Sequence, residues 1–507
     1  MSSQFLSQTK SSRNRRGLSL LAVLSASVLI GLMGVTATPA QAAGRLMVAG
    51  YEQGATPFIS MVTIKNVPLA NVSSVVFGVQ SRPATVSAMV GATYSLNYLI
   101  SHDYVDLAAN TITVPVYGLY DGFSNTVHLR LLGPKKYMQN LTATVVTQSW
   151  WATGGPQYHD RQVVVARKAN IKLGYSFFML KAWSAGAHPV VMDTDGYVRW
   201  VGTAGNGQQG STFAGNNFYV GDGSKLQRIG LDGNVTTLND LTAAGYNGYH
   251  HNIDFGRDGL LLQLNKGSHV ESDIVEVNLQ GKTLRTWDLA KILSDTMTAG
   301  GDNPSTFVDT SKDWFHNNSA TYWKAKDELV VSSRENFVIG LDYNTGQVRW
   351  ILGDPTKLWH QYASLSALAL TVPAGGHYPI GEHALSFTSD GQLMLFDNGT
   401  PSYAQSPAGD SRSVSQPRRY RLDLTARTAT ETWAFAHDPA ISSPICSSIY
   451  QSGASFLIDY ASENWGNVRL VGIDANDNIA FEYFMPGANW DRGWNALPIH
   501  IESLSYK

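Results

Sequence analysis

The chain has 507 residues, of which 43% are hydrophobic and 15% charged, and its formal net charge is −2 at pH 7. One small hydrophobic core cannot organise this length, so we expect several domains or one large repeat fold. The near-neutral charge excludes a basic footprint for nucleic acid and an electrostatic attraction to anionic membranes. Cys446 is the only cysteine, so no intrachain disulfide can form, and we expect a buried, inert thiol.

The N-terminus has the pattern of a secretory signal peptide. Three arginines precede an apolar stretch at residues 18–35, and Ala40-Gln41-Ala42 fits a small-residue cleavage site. We therefore predict a signal peptide at residues 1–42, no membrane insertion after its cleavage, and a periplasmic or secreted mature chain. A retained membrane anchor is the alternative, because the apolar stretch is close to the ~18-residue lower limit for a span. Both Sec and Tat export fit the arginine pattern.

The segment after the predicted signal peptide has the pattern of a small antiparallel β-sandwich. Short alternating or β-branched stretches are separated by turn residues, and no helical periodicity occurs between them. These stretches are residues 58–64, 73–79, 111–116 and 141–146. A Gly-Gly-Pro run at residues 154–156 cannot continue a strand. We therefore predict a sandwich domain at residues 43–150 and a second domain at residues 151–507.

The second domain repeats one pattern six times. Each repeat is a strand, a turn rich in Asp, Asn and Gly, and a second strand that usually ends in an aromatic residue. The repeats are residues 191–200, 229–236, 277–287, 340–350, 422–433 and 472–481. Glycine and asparagine supply the positive φ of tight hairpins, and a period of about 50 residues is that of propeller blades.

These repeats predict an all-β fold, namely a six-bladed β-propeller preceded by the small β-sandwich. We expect the terminal aromatic residues to pack between neighbouring blades. Residues 354–379 have no clear strand pattern, so we interpret them as a long insertion over one face of the propeller.

Two stretches of the second domain share a pattern that begins with histidine. Residues 251–259 and 383–391 both read His, any residue, Ile or Leu, Asp or Ser, Phe, two free positions and Asp-Gly. Equivalent positions on the inner strands of a propeller converge on its axis. We therefore expect His251 and His383 to meet there. We place His316 in the same cluster, although the strand after it can be aligned two residues in either direction.

Arg334 follows the predicted strand after His316. One interpretation of this arginine is an ion pair with the adjacent Glu335. A guanidinium beside several imidazoles, with no carboxylate in the same motifs, instead predicts an anion site, because the guanidinium is planar, donor-rich and always charged. We expect Asp254 and Glu382 to flank this cluster without joining it.

The order of these motifs resembles that of the bacterial arylsulfate sulfotransferases. The resemblance covers nearly all of the mature chain, through residues 116–120, 249–251, 313–319, 331–334, 345–353, 383 and 395–399. It implies a six-bladed propeller behind a small β-sandwich and export across the inner membrane. It also implies transfer of a sulfuryl group from an aryl sulfate donor to a phenol acceptor, without the nucleotide donor PAPS. A homodimer is compatible with the resemblance.

Carried over by position, the resemblance implies that His383 is the nucleophile and becomes a sulfohistidine in a ping-pong reaction. His251, His316 and Arg334 would bind the sulfuryl oxygens and steady the leaving phenolate. Asn252 and Asn317 depart from the family pattern, which usually has an acid and an aliphatic residue there. These departures bear on the acceptor range. The natural donor and acceptor, and the histidine that carries the proton, stay open at this point.

The residue types suit this chemistry by themselves. A neutral imidazole is a competent nucleophile near pH 7. Sulfuryl transfer resembles phosphoryl transfer, in which charge develops on the equatorial oxygens. A guanidinium and protonatable imidazoles can stabilise that charge, so we expect neither a metal nor another cofactor.

Two other functions fit the same residues. Three imidazoles could bind Zn²⁺ in a metal-assisted propeller lyase or hydrolase. A propeller that binds an anion without any chemistry is the other alternative. A nucleotide-dependent sulfotransferase does not fit, because Gly281-Lys282-Thr283 lacks the upstream glycine of a phosphate-binding loop.

Overall fold

The computed structural model describes residues 44–150, 158, 160–181, 189–203, 210–487 and 492–507. The predicted signal peptide and the predicted domain boundary at residues 154–156 lie outside these described residues. Residues Arg45–Lys507 form one compact unit. In the described ranges, no helix is long and apolar enough to cross a membrane.

The first part of the described chain builds two antiparallel sheets. Its elements are β1 Met47–Gln53, β2 Ile59–Lys65, β3 Ser74–Val79, β4 Val90–Ser95, α1 Leu96–Ser101, β5 Val105–Asp106, β6 Thr111–Tyr117, β7 Ser124–Leu132 and β8 Met138–Val146. The strand orders are β1-β2-β6-β5 and β4-β3-β7-β8. Alternate side chains enter a shared core, as on β3, where Val75, Phe77 and Val79 are buried. The sandwich pattern of the sequence arises from this alternation.

Helix α1 departs from the expectation of a segment without helix. It has six residues, which is too short to produce a visible 3.6-residue periodicity. Ser95 caps it, because the serine side chain accepts a hydrogen bond from the backbone N–H of Tyr98.

Except for β34, the remaining strands follow one another in antiparallel sheets of four or five. Their bounds are β9 Gln162–Val165, β10 Phe177–Lys181, β11 Val190–Asp193, β12 Val198–Val201, β13 Ser211–Ala214, β14 Asn217–Asp222, β15 Lys225–Gly230, β16 Val235–Asp240, β17 Tyr246–Phe255, β18 Leu260–Lys266, β19 His269–Val277, β20 Thr283–Asp288, β21 Asn317–Trp323, β22 Glu328–Ser333, β23 Val338–Asp342, β24 Val348–Leu352, β25 His383–Phe387, β26 Leu393–Asp397, β27 Gln416–Asp423, β28 Thr428–Ala434, β29 Ser448–Ser452, β30 Ser455–Glu463, β31 Asn467–Ile473, β32 Ile479–Met485, β33 Asn495–Ile499 and β34 Leu504–Tyr506. The sheets are β33-β10-β11-β12, β13 to β16, β17 to β20, β21 to β24, β25 to β28, and β29 to β32 followed by β9.

The first strands of successive sheets contact one another, from β17 to β21, β25, β29 and β33. Strand β33 also pairs with β10, so a strand near the C-terminus completes the first sheet of the series. Sheets arranged in this way around an axis form a β-propeller. The all-β fold is therefore confirmed. The described residues contain six such sheets, and the exact number of blades stays a prediction.

Five of the six predicted hairpins are the outer strand pairs of their sheets, and the sixth, β31-β32, is followed by β9 at the edge. Each pair contains one register shift, the mark of a β-bulge that increases the local twist. Aromatic residues of four hairpins pack against the next sheet, as we expected. The ring pairs are Trp200 with Phe218 at 4.4 Å, Trp287 with Tyr343 at 5.1 Å, Trp433 with Phe456 at 5.5 Å and Phe481 with Phe178 at 6.0 Å between centroids.

Two further segments matter for the architecture. In the described segment 354–379 no strand is assigned, as we predicted; it contains the short helix α3 Ala363–Ser366, which contacts α2 Leu289–Ala299.

Strand β34 pairs in parallel with β4, so the last residues join the sheet of the N-terminal sandwich. The sequence patterns did not indicate this pairing, because it joins segments about 400 residues apart. The boundaries of the predicted domains stay predictions.

Candidate active site

A cavity of about 490 Å³ brings together all four residues that the sequence singled out. Its wall consists of His251, Glu271, Asp313, His316, Arg334, Glu335, His383, Tyr403, Ala404, Ile445, Cys446 and Trp494. The imidazole centroids of His251 and His316 are 4.6 Å apart, and those of His251 and His383 are 6.1 Å apart. Three imidazoles and one guanidinium therefore share one cavity, while their catalytic roles stay predictions.

The first strands of three neighbouring sheets deliver these imidazoles in two different ways. His251 and His383 both lie four residues before the last residue of their strands, β17 and β25. His316 lies just before β21 and seven residues before the end of that strand. His316 thus enters the cavity from the segment that precedes its strand. Because His316 lies before its strand and not within it, the strand could be aligned with those of His251 and His383 in more than one register.

Several of these residues have a backbone conformation that side chains rarely adopt. The φ angle is 40° at His251, 52° at His316 and 46° at Glu271. Left-handed non-glycine residues cost of order 1 kcal/mol or more and often occur at functional sites. Here they turn three side chains into the cavity.

Hydrogen bonds define the tautomer of His383. Its Nδ1 atom is 2.8 Å from the side-chain oxygen of Asn398 and 3.1 Å from the carbonyl oxygen of Gly381. The Asn398 amide nitrogen donates to the carbonyl oxygens of Ser443 and Cys446, so its oxygen is the acceptor. Nδ1 therefore carries the hydrogen and donates it. The Nε2 atom accepts from the backbone N–H of Cys446 at 3.2 Å.

The same surroundings keep His383 neutral. Burial, followed by the nearby charge of Arg334, lowers the pKa of His383 to about 3. At neutral pH the ring therefore has a lone pair on Nε2, beside the cavity residue Cys446.

His316 has the opposite charge state. Burial acts against its charged form, but Glu271 and then Asp313 outweigh burial and raise the pKa of His316 to about 10. Its Nδ1 atom lies 2.9 Å from a Glu271 oxygen and 2.5 Å from an Asp313 oxygen. His316 is therefore an imidazolium at neutral pH. The interaction with His316 holds the pKa of Glu271 below its usual range, against the effect of burial.

These two carboxylates correct the expectation of a cluster without acids. Glu271 lies on β19, the third strand of its sheet, outside the motifs that identified the histidines, so no sequence signal pointed to it. Asp313 lies three residues before His316 within a motif, and that spacing was the available signal. Neither Asp254 nor Glu382 is among the residues that line the cavity, so the expectation that they stay outside the cluster holds for the described residues.

His251 is neutral like His383. Burial lowers the pKa of His251 well below its usual value, although Glu271 acts in the opposite direction. Its Nδ1 atom is 3.3 Å from the Nδ1 atom of His250 and 3.7 Å from a Glu271 oxygen. The cavity thus combines two neutral imidazoles with one imidazolium.

Arg334 forms the ion pair with Glu335 that one interpretation predicted, while its role as an anion ligand stays a prediction. Its Nη1 atom pairs with Glu335, and its guanidinium lies 3.9 Å from the centroid of the Tyr403 ring. Its Nη2 atom is buried and has no hydrogen-bond partner in the described ranges. The ion pair therefore orients the guanidinium and leaves one donor group for an anion.

Cys446 lies on the cavity wall and is only half-buried, which corrects the expectation of a buried thiol. Burial of the sulfur nevertheless raises the pKa of Cys446 to about 12. The thiol is protonated at neutral pH and therefore a weak nucleophile.

Two groups at this site have the composition of a metal-binding cluster. Glu271, Asp313 and His316 offer three ligand atoms within 4.8 Å of one another, as do His250, His251 and Glu271. Both groups contain a carboxylate, so they differ from the three-imidazole site that we considered from the sequence.

The fold and the cavity together define a β-propeller protein with a cavity lined by imidazoles and one guanidinium. Residues 159–487 match the family model described as arylsulfotransferase (ASST). This match spans more than half of the chain, so the chain belongs to the arylsulfotransferase family. The family resemblance of the sequence motifs is thereby confirmed, and it supports an enzyme that transfers sulfuryl groups without PAPS.

Curated relatives agree with this family. The chain is 23% identical to the arylsulfate sulfotransferase AssT of Escherichia coli O6:H1, over 89% of both chains. It is also 23% identical to the AssT of Lelliottia amnigena, over 86% of this chain and 87% of that one. A solved structure, the Cps50 (Swd1) β-propeller domain of Myceliophteria thermophila, matches at 10% identity with a TM-score of 0.35, covering 65% of this chain and 90% of that one. This TM-score is too low to support any conclusion.

Proposed function

We propose that this protein is an arylsulfate sulfotransferase that works by a ping-pong mechanism through a sulfohistidine at His383. Membership of the arylsulfotransferase family supports the reaction class. The observation that supports the nucleophile is the fixed tautomer of His383, with hydrogen on Nδ1 and a lone pair on Nε2. A small aryl sulfate is the donor, and a phenol is the acceptor.

In the first half-reaction, the Nε2 atom of His383 attacks the sulfur of the aryl sulfate. The N–S bond forms while the bond between sulfur and the aryl oxygen breaks, so the leaving phenolate takes the electron pair. The hydrogen bond from the Cys446 N–H must weaken for this attack. The Nδ1 hydrogen stays on the ring, where Asn398 stabilises the positive charge that sulfation creates.

His316 is the proton donor in this scheme. A general acid must hold its proton at the operating pH and transfer it to the leaving group in the transition state. The pKa of His316 is about 10, which is close to the value of about 10 for a phenol such as tyrosine. His316 gives its proton to the departing phenolate, and in the second half-reaction it takes a proton from the incoming phenol. That phenolate then attacks the sulfur and releases His383.

Arg334 binds the sulfuryl oxygens through its free Nη2 group. Charge builds up on these oxygens in a loose transition state, and a preoriented guanidinium stabilises it without reorganisation. His251, which is neutral, is the second polar ligand of the sulfuryl group. Tyr403 and Trp494 supply aromatic surface for the phenol ring within the same cavity.

The decisive experiment mixes the protein with 4-nitrophenyl sulfate and phenol. We expect nitrophenolate release that phenol accelerates, together with formation of phenyl sulfate. Mass spectrometry after incubation with donor alone should find an added SO₃ group on the peptide that contains His383. Release at a rate independent of the acceptor would show hydrolysis and would refute the transfer mechanism.

The variant His383→Asn should lose this activity, because an amide nitrogen cannot take the place of the nucleophilic Nε2. His500→Asn is the matched control, since this histidine is 57% exposed and pairs with Glu502. Near-native turnover in the His383→Asn variant would place the nucleophile elsewhere.

A metal-assisted hydrolase is the second candidate, favoured by the ligand atoms of Glu271, Asp313 and His316. In that case chelator-treated protein would be inactive and Zn²⁺ would restore it. We expect full transfer activity after chelation, because the carboxylates serve to hold His316 protonated.

We also propose that the chain is exported to the periplasm and can form a homodimer. The signal-peptide pattern of residues 1–42 supports export. Fractionation of cells that express the full chain should place the shortened protein in the periplasmic fraction. Light scattering of the purified protein tests the dimer, which a monomeric mass would exclude.

A further inference from the structure

A third cluster of metal-ligand atoms lies outside the cavity, on the sheet of β17 to β20. His269, Asp273 and Asp288 each offer one ligand atom, and these atoms lie within 4.8 Å of one another. His269 and Asp273 are on β19, and Asp288 ends β20 directly opposite Asp273. Ligands bound to one ion at about 2.0–2.2 Å are at most about 4.4 Å apart. Small side-chain rotations therefore bring the three atoms onto one ion.

Asp273 has an unpartnered oxygen within this cluster. The residue is 2% exposed, and its Oδ2 atom has no hydrogen-bond partner among the described residues. The Nδ1 atom of His269 lies 3.6 Å from this oxygen and also lacks a hydrogen bond in the same ranges. A buried carboxylate oxygen without a donor is costly. A cation bound between these two atoms would satisfy both of them.

Among the described residues, the one ion pair that Asp273 forms is with His269, at 3.6 Å. The nearby Lys266 does not supply the missing charge. Its ammonium lies 5.3 Å from the centroid of the Tyr246 ring, and the ion pairs within the described chain include none from Lys266 to Asp273.

We propose that His269, Asp273 and Asp288 bind a divalent transition-metal cation, with Zn²⁺ as the best-suited ion. One imidazole and two carboxylates match the ligands that Zn²⁺ prefers, whereas Ca²⁺ takes six to eight oxygens. One Asp288 oxygen accepts from the backbone N–H of Lys291 at 2.9 Å, which holds this carboxylate in place. The His269 side chain is 31% exposed, so the ion can enter from solvent.

A cation here stabilises the strand that supplies Glu271 to the cavity. Glu271 lies between His269 and Asp273 on β19, with a left-handed φ of 46°. A cation that holds His269 and Asp273 stabilises this unfavourable backbone conformation of Glu271. The cation itself does not contact a substrate. The site is therefore structural, and its existence does not depend on the proposed sulfotransferase activity.

The test is calorimetric titration of chelator-treated protein with Zn²⁺, in parallel with thermal unfolding. The variant Glu271→Gln serves as the parent, because it removes the shared ligand of both clusters at the cavity. We expect one equivalent of Zn²⁺ to bind to this parent and to raise its Tm. Adding Asp273→Asn, or separately His269→Ala, should weaken binding more than about 100-fold and abolish the rise in Tm.

Asp295→Asn in the same parent is the matched control, since this acid is 66% exposed on α2 and should leave Zn²⁺ binding unchanged. His269→Ala replaces a partly exposed side chain, so it keeps the test valid if the Asp273 variant folds poorly. A parent that binds no Zn²⁺ at about 100 μM would overturn the proposal. Undiminished binding in both ligand variants would also overturn it. Activity measured with and without Zn²⁺ is a separate readout, which tests the sulfotransferase proposal alone.

Discussion

At the scale of single residues, the cavity sorts three histidines into two charge states by their contacts. Burial lowers the pKa values of His383 and His251, and the Glu271 oxygen 3.7 Å from His251 does not reverse this effect. In His316, Glu271 at 2.9 Å and Asp313 outweigh burial and hold the ring protonated. A neutral imidazole and an imidazolium thus share one cavity near pH 7, and the proposed displacement of a phenolate requires this combination.

Asn398 should act as a positioning residue for His383. Replacing it with alanine removes the nearer acceptor of the Nδ1 hydrogen and leaves the Gly381 carbonyl oxygen at 3.1 Å. We expect kcat to fall roughly tenfold or more, because a hydrogen bond to the charged sulfohistidine contributes about 1.5 kcal/mol or more. Asn398→Asp should restore much of kcat and raise the pKa of His383. The measurement is kcat against pH for both variants, and an unchanged kcat in Asn398→Ala would rule out this role.

The pH dependence of the first half-reaction should have two widely separated limits. Below pH of about 3, His383 becomes protonated and loses its lone pair. Above pH of about 10, His316 loses the proton that it gives to the leaving group. We therefore expect a broad plateau between these limits for single turnover of phenyl sulfate without acceptor.

Glu271→Gln should move only the alkaline limit. Glu271 is the largest cause that raises the pKa of His316, so its neutralisation shifts that limit toward lower pH and leaves the acid limit in place. With 4-nitrophenyl sulfate the shift should matter less, because nitrophenolate leaves without protonation. An alkaline limit that stays near pH 10 in this variant would show that another group donates the proton.

At the scale of strands and hairpins, sequence patterns predict the features that residues close together in the chain determine. The six hairpins were predictable because their turns require Asp, Asn and Gly at fixed positions. His251 and His383 were predictable because they repeat one register on equivalent inner strands. Glu271 was not, because it reaches the cavity from β19 through a backbone turn at φ of 46°. No local pattern encodes a strained residue whose partner, His316, lies 45 positions away.

The aromatic residues at the ends of the hairpins should dominate the stability of the contacts between sheets. Trp200 is fully buried, stacks on Phe218 at 4.4 Å and donates its indole N–H to the carbonyl oxygen of Leu231 at 3.0 Å. Trp200→Ala should lower the free energy of unfolding by about 3–5 kcal/mol, because it opens a large cavity. Trp465→Ala is the control, since that tryptophan is 57% exposed, and it should cost less than about 0.5 kcal/mol. Denaturant unfolding of both variants tests this difference.

At the scale of the whole molecule, the C-terminal segment joins the two architectural parts. Strand β33 completes the first propeller sheet, and β34 then adds a parallel strand to the N-terminal sandwich. These pairings connect the end of the chain with segments hundreds of residues earlier, so sequence patterns alone could not reveal them. The histidines of the cavity lie on the propeller sheets or next to them, whereas the described residues of the sandwich contribute nothing to the cavity wall.

Because the sandwich does not line the cavity, we predict that a substitution of Tyr506 lowers stability and leaves catalysis unchanged. Its ring stacks on Tyr94 at 4.8 Å and contacts Tyr98 at 5.1 Å between centroids. Tyr506→Ala removes both contacts and should lower Tm by several degrees, since an aromatic pair contributes about 0.5–1.5 kcal/mol beyond its buried area. The values of kcat and KM for 4-nitrophenyl sulfate at 25 °C should match those of the parent protein, because no cavity residue moves. A fall in kcat while the protein is fully folded would show that the sandwich positions the catalytic residues.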